Sequence, residues 1–289
     1  MVRREGADRS ALRVRARQVT HRWEGRPLPR HFFGHDIVLS HLAAMGSSVF
    51  PEGEAFFVRS VRRFRSQLTD PILAEQVTGF IGQETVHARE HRALNLRLAE
   101  LGYPTRHLDR RAHWGLRAVD RVLSPSTRLA ATAALEHCTA TLADAILSSQ
   151  DVRDLMVDDQ IRDLVVWHAL EEAEHKAVAF DVYMAVDGRH WLRAWTLRVA
   201  VVTTGLDIIS GALTSMAFDP AARDLPAVWR SIKGLRTSPF AGLGMGAALF
   251  DYTRRDFHPD DHDTTALVAE WRARLFDEHP TDDLIARPR

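Results

Sequence analysis

Between residues 51 and 186, apolar positions recur at three- and four-residue intervals and do not alternate, which predicts helices and no strands. Proline and glycine mark the ends. In "VFPEGEAFFVRSVRRFRSQL", Pro51 suits a first helical position and predicts a helix to about Leu68. "TDPILAEQV" offers Asp70 as N-cap and Pro71 as the first residue of a second helix, which Gly102 ends. "LSPSTRLAATAALEHCTATLADAILSS" repeats the device with Ser124 and Pro125. A fourth helix is predicted from about Asp158 to Val186, closed by the Asp187-Gly188 turn. The expectation is an all-α chain with a four-helix bundle over residues 49–188. Residues 1–48 read as a mobile basic arm and lead-in, and residues 189–289 as further helices packed on the bundle.

The stretch "HWLRAWTLRVAVVTTGLDIISGALTSMAFD" approaches the length needed to span a bilayer. Asp207 at its centre and Arg198 at its edge, with Thr, Ser and Gly between, dilute that signal. We expect a buried or oligomer-interface helix, a homodimer being one such assembly. Membrane association through residues 195–217 is the disfavoured alternative.

Composition narrows the classes further. Apolar residues make up 45% of the 289, enough for a sizeable core, and formal net charge is zero. With no basic block beyond the N-terminus, no nucleic-acid partner is expected. Cys138 is the single cysteine, which excludes an internal disulfide framework. The N-terminal arginines precede no apolar run, so a cytoplasmic location is expected.

Candidate chemistry sits on the predicted helices. The first carries Glu54 in "FPEGEAFF". The second carries Glu84 and His87 at Glu-x-x-His spacing, with His91 a further turn on. The third carries Glu136 in "AALEHCTA", and the fourth His168, Glu172 and His175 in "WHALEEAEHKAV". Residues three apart on a helix project side by side, so Glu and His of one motif can serve one ion. On the fourth helix His168, Glu172 and His175 fall within roughly 60° of one another, and on the second Glu84, His87 and His91 within about 80°. The order Glu, Glu-x-x-His, Glu, Glu-x-x-His predicts a dinuclear metal site, its four carboxylates balancing two divalent ions. Mixed imidazole and carboxylate donors suit two iron ions, with manganese the alternative, over structural zinc.

Around this set, His168 is expected to be a seventh ligand and His91 a supporting partner. Asp144, two turns past Glu136, is expected to hydrogen-bond a ligand histidine. Glu171 competes with Glu172, and the i, i+3 spacing favours Glu172. Small residues near the ligands, Ala133, Thr139 and Ala140, leave room for substrate. Cys138 is expected in the core. "GLGMGAALF" follows no strand and is not read as a phosphate loop. His258 and His262, among aspartates, are read as a structured tail.

The motifs "FPEGEAFF", "QETVHAREH", "EEAEH" and "FHP", over roughly residues 25–262, resemble the bacterial family called predicted metal-dependent hydrolase, within the ferritin-like superfamily. The additional histidine of His-xxx-Glu-x-x-His resembles the di-iron arylamine N-oxygenases. That likeness implies Glu54, Glu84, His87, Glu136, His168, Glu172 and His175 as the ligand set. The leading functional expectation is O2 activation by a di-iron oxidase or oxygenase acting on a small organic substrate, amine N-oxygenation included, with the electron donor unspecified. The alternatives are a dinuclear metal-dependent hydrolase and a non-catalytic metal-binding or storage protein.

Overall fold

Asp36, Asp70, Ser124 and Asp158 each accept a hydrogen bond from a backbone N–H in the first turn of the helix that follows. They open four of the helices in the computed structural model, which describes residues 14–21, 23, 27–242 and 244–277. In chain order the helices are α1 (Ile37–Arg62), α2 (Pro71–Glu100), α3 (Thr105–Val122), α4 (Pro125–Ser148), α5 (Gln150–Asp154), α6 (Asp159–His175) and α7 (Val178–Val186). The C-terminal part adds α8 (His190–Met216), α9 (Leu225–Gly234), α10 (Met245–Asp251) and α11 (Thr265–Arg272). Among the described residues the one β pairing is an isolated bridge between Phe33 and Met156, so the chain is all-α.

Helix α1 lies along α2, and α4 packs on α6 and α7, with α1–α4 and α2–α6 contacts joining the two pairs. Helices α3, α8 and α9 form an outer layer on α1. Two apolar clusters make the core. One holds Phe56, Phe80, Leu129 and Tyr183, the other Leu94, Leu98, Ile146 and Leu170. Along α2, membership changes from the first cluster to the second between Phe80 and Leu94, and along α4 between Ala134 and Ala143. Glu84, His87 and Glu136 occupy those intervals, so the polar residues form a layer between two apolar ones.

Four sequence expectations are corrected. The first helix does not begin at Pro51; α1 starts at Ile37 and carries Pro51 inside, so a boundary at 48 falls within a helix. A proline there leaves the carbonyl four residues earlier without its usual N–H. That carbonyl belongs to Ser47, and the Asn95 side chain of α2 donates to it at 2.9 Å. The link after Gly102 is itself a helix, α3, whose polar sequence buries only Thr105 and Leu108. The predicted 158–186 helix turns at Lys176–Ala177, with no proline or glycine to mark it. There the Lys176 ammonium donates to the carbonyl of His262 and the hydroxyl of Thr264.

Finally, the lead-in is not wholly an arm. Residues 1–13 lie outside the described residues, but Val14 and Val19 are buried. The segment crosses α2 at Gly79 and Gly82, where an added Cβ would overlap the Val14 carbonyl and the Ala16 side chain. Gly79→Ala should therefore cost about 1–3 kcal/mol in denaturant melts and open residues 14–21 to proteolysis. Gly115→Ala, whose Cβ meets nothing, should be neutral or stabilise by up to ~1 kcal/mol.

Candidate metal centre

The polar layer brings together residues from four helices: Glu54 from α1, Glu84 and His87 from α2, Glu136 from α4, and His168, Glu172 and His175 from α6. All seven are buried, none more than 5% exposed. The His175 Nε2 lies 3.1 Å from Glu84, 3.2 Å from Glu136 and 3.6 Å from Glu172. The His87 Nδ1 lies 3.7 Å from Glu84 and 3.8 Å from Glu172. The His168 Nε2 is 2.9 Å from Glu172 and 3.7 Å from Glu54.

Whether these residues fit metal ions is tested by their unsatisfied atoms. Both carboxylate oxygens of Glu54, Glu84 and Glu136, the His87 Nδ1 and the His175 Nε2 are buried with no aligned hydrogen-bond partner. The short His175–Glu84 and His175–Glu136 distances do not amount to well-directed hydrogen bonds. Orphaned polar atoms in a core are rare because each costs its desolvation. Eight of them converging on one layer fit a set of cations. All the donors but Glu136 fall into overlapping triads, Glu54–Glu84–His87, His87–His168–Glu172 and Glu84–Glu172–His175, and His91 joins Glu54 and His168 in another, each within 4.8 Å.

The opposite nitrogen of each histidine is held by a second ring of residues. The His87 Nε2 meets Glu171 at 3.0 Å, and Arg17 donates to Glu171 at 2.8 Å. The His175 Nδ1 meets the Gln83 Oε1 at 2.9 Å, while the Gln83 amide donates to Glu174. Glu174 also accepts from Arg17 and Arg272. The His168 Nδ1 meets the His91 Nε2 at 2.8 Å, and the His91 Nδ1 meets Ser47. Such partners fix which nitrogen faces inward and how the ring is turned. Glu171 and Glu172 thus divide the work, Glu172 facing the layer and Glu171 standing behind His87. His91 stands behind His168.

Asp144 does not take the place expected of it. It is exposed, and Glu171 and Gln83 stand behind His87 and His175 instead. Arg17, Gln83, Glu174 and Arg272 were missed by spacing arguments, and Glu171 was weighed only as a rival of Glu172. Burial of Glu171 and Glu174 beside the motif was the available signal, but Arg17 lies 154 residues from Glu171. Thr139, expected to leave room, donates to the Glu172 Oε2 at 2.5 Å. Cys138 donates to the Ala134 carbonyl. His258 pairs with Asp181, away from the layer.

Another His/Asp group, His31, His41 and Asp219, fails the same test. Asp219 accepts from the Arg30 Nε at 3.0 Å and the Ala221 N–H at 3.0 Å, and meets His31 at 2.8 Å and His41 at 3.1 Å. Burial raises its carboxyl, but the contact with His31 and the bond from Ala221 outweigh burial and hold it at about 2. Arg30 already supplies the cation, so this group is a clasp between the lead-in, α1 and the end of α8.

Without metal, protons supply the missing charge in the central layer. Burial, with the charge of Glu84, holds the Glu54 carboxyl well above its ordinary range and raises Glu136 to about 8. Burial works against the imidazoliums, but the hydrogen bond to Glu171 and the nearby charge of Glu84 raise His87 to about 10, and the charge of Glu172 raises His175. Burial also opposes ionised Glu172, yet the charge of His175 holds it well below the usual range. Glu54, Glu136, His87 and His175 thus hold their protons more tightly than the free side chains do, and these are the protons that cations in the layer would displace.

A model of one protein family matches residues 15–263, and its description is predicted metal-dependent hydrolase. The chain belongs to this family. No curated protein and no solved structure matches the chain. The family name and the His/Glu layer agree on metal dependence. The hydrolase alternative matches the family description, whereas the comparisons give the oxygenase expectation no support.

Loading divalent ions at pH 7 should release protons, read by calorimetry in buffers of different ionisation enthalpy. Because the protonated forms compete with metal, apparent affinity should rise between pH 6 and 9. Glu171→Ala should retain the fold and weaken metal binding by ~10–100-fold, measured by competition with a chelator.

Proposed function

We propose that the protein is a metal-dependent hydrolase built on a two-ion centre. Glu54, Glu84 and His87 would hold one ion, with His168 as an added donor; Glu136, Glu172 and His175 would hold the other. Glu84 and Glu172, which belong to more than one donor triad, would be the donors shared between them. The observation that carries the reading is the convergence of orphaned, buried carboxylate and imidazole atoms in a chain of this family. Two bound divalent ions would supply Lewis acidity and a hydroxide from water near neutral pH. The donor set, oxygen-rich and without thiolate, suits iron or manganese.

The chain's own residues would orient these donors and exclude water. Glu171 and Gln83 set the rings of His87 and His175. Trp167 packs edge-on to His87 at 5.0 Å between centroids, and Phe80 edge-on to His175 at 4.9 Å. The Thr139 hydroxyl donates to Glu172 and so fixes that carboxylate.

A second reading, O2 activation by a di-iron centre in a ferritin-like bundle, is favoured by the aromatic walls and complete burial, which admit a small diatomic more easily than a large ester. The two separate in one experiment. Metal-replete protein should hydrolyse members of an ester and phosphoester panel without consuming O2, and Glu84→Ala should lose the second ion and ~100-fold or more of the rate. Stoichiometric O2 uptake after anaerobic ferrous loading, with no hydrolysis in the panel, would sink the hydrolase reading and support the oxygenase. Uptake far beyond two irons per chain would instead indicate storage.

A further inference from the structure

Helix α8 buries one face and leaves the other bare. Leu192, Arg193, Leu197 and Ala200 are buried on the side packed against α1 and α4. The Arg193 guanidinium donates to the carbonyls of Tyr252 and Arg254, so the helix is pinned to the body of the protein. The opposite side carries Trp195, Val199, Val202, Leu206, Ile209 and Leu213, between 43% and 63% exposed. They recur in steps of four and three, one continuous stripe, which Trp191 extends. Helix α8 is long and apolar enough to cross a membrane by length and composition alone, yet only 22% of its most apolar window is buried. Of the two expectations for this helix, a buried one or an oligomer-interface one, burial does not account for this face.

We propose that this face is the two-fold interface of a homodimer, in which two α8 helices pack antiparallel about a point between Val202 and Thr203. Size is the first argument. The exposed stripe offers on the order of 800 Å² of apolar surface per copy, about what each side of a stable protein interface buries. Charge is the second. Arg198 is the one charged residue among the exposed positions of α8, and among the described residues no carboxylate pairs with it. An isologous contact makes each residue meet its counterpart reciprocally. About the proposed centre, Arg198 stands opposite the partner's Asp207. The Asp207 side chain is 43% exposed although one oxygen is paired with Arg111 at 2.8 Å, so it has room for a second guanidinium. The same register sets Val199 against the partner's Leu206 and the Trp195 indole against the smaller Ser210. The stripe thus complements itself in shape and in its single charge.

Sedimentation of the full chain should give twice its 32.6 kDa mass. Leu206→Glu, an exposed position remote from the metal ligands, should raise the dimer dissociation constant by ~100-fold or more, because the charge enters the interface twice. Its helicity and metal content should not change. Arg198→Glu should weaken the dimer, and adding Asp207→Arg should recover part of the loss. In a Cys138→Ser background, Thr203→Cys should form a disulfide-linked dimer on mild oxidation, and Ile209→Cys should not. A monomer at tens of micromolar overturns the proposal, whether or not it pellets with anionic phospholipid vesicles; pelleting would assign the face to a membrane surface. A dimer that survives Leu206→Glu unchanged, or fails to cross-link through Thr203→Cys, overturns the proposed interface.

Discussion

Four glutamates on facing helices share one buried layer, and among the described residues no arginine or lysine pairs with them. An ionised carboxylate taken out of water costs several kcal/mol unless a positive charge accompanies it, so Glu54, Glu84, Glu136 and Glu172 together would not tolerate a common core. Two routes restore neutrality. Four protons can sit on Glu54, Glu136, His87 and His175, leaving two imidazoliums opposite two carboxylates. Alternatively, two divalent ions can take their place. The packing on either side accommodates both, because the apolar clusters above and below the layer need only a neutral, filled interior.

The same constraint explains features remote from the layer in sequence. A histidine that is to offer one nitrogen inward must have the other fixed, and Glu171, Gln83 and His91 do this. Glu171 and Glu174 would themselves be unpaired buried charges without Arg17 and Arg272. Arg17 is brought in by a segment that fits α2 only because positions 79 and 82 lack a Cβ. Asn95 belongs to a similar chain of dependence. It satisfies the carbonyl that Pro51 leaves open and accepts from Ser47, which in turn touches His91. Pro51 therefore sits inside a helix without breaking it.

Much of the donor layer was legible because helical spacing is local information. Glu84 and His87, or His168, Glu172 and His175, share a face whatever the tertiary fold, and residue type then names the chemistry. Helix ends were legible where a side chain caps them, as at Asp70 and Ser124. The failures have a common cause. Pro51 was read as a start because the partner that tolerates it, Asn95, is on another helix. Helix α3 is polar on average and buries little, so its amphipathic spacing was passed over. The turn after His175 follows no local breaker. Asp144 had the right spacing to approach a ligand but faces solvent, and Arg17 acts across a distance in sequence that no periodicity can span.

Residue type alone is a poor criterion for a metal centre in this chain, as its two histidine–carboxylate groups demonstrate. His31, His41 and Asp219 have the composition of a three-donor site and lie close enough to form one. Arg30 nonetheless supplies a full positive charge to Asp219, and a dication placed beside that guanidinium would meet repulsion where it needs attraction. The central layer has the reverse character: its arginines stand one residue further out, on Glu171 and Glu174, and its inward atoms lack partners. Protein cores rarely leave buried carboxylate oxygens unbonded. What marks the central layer is therefore the positive charge its own side chains decline to provide.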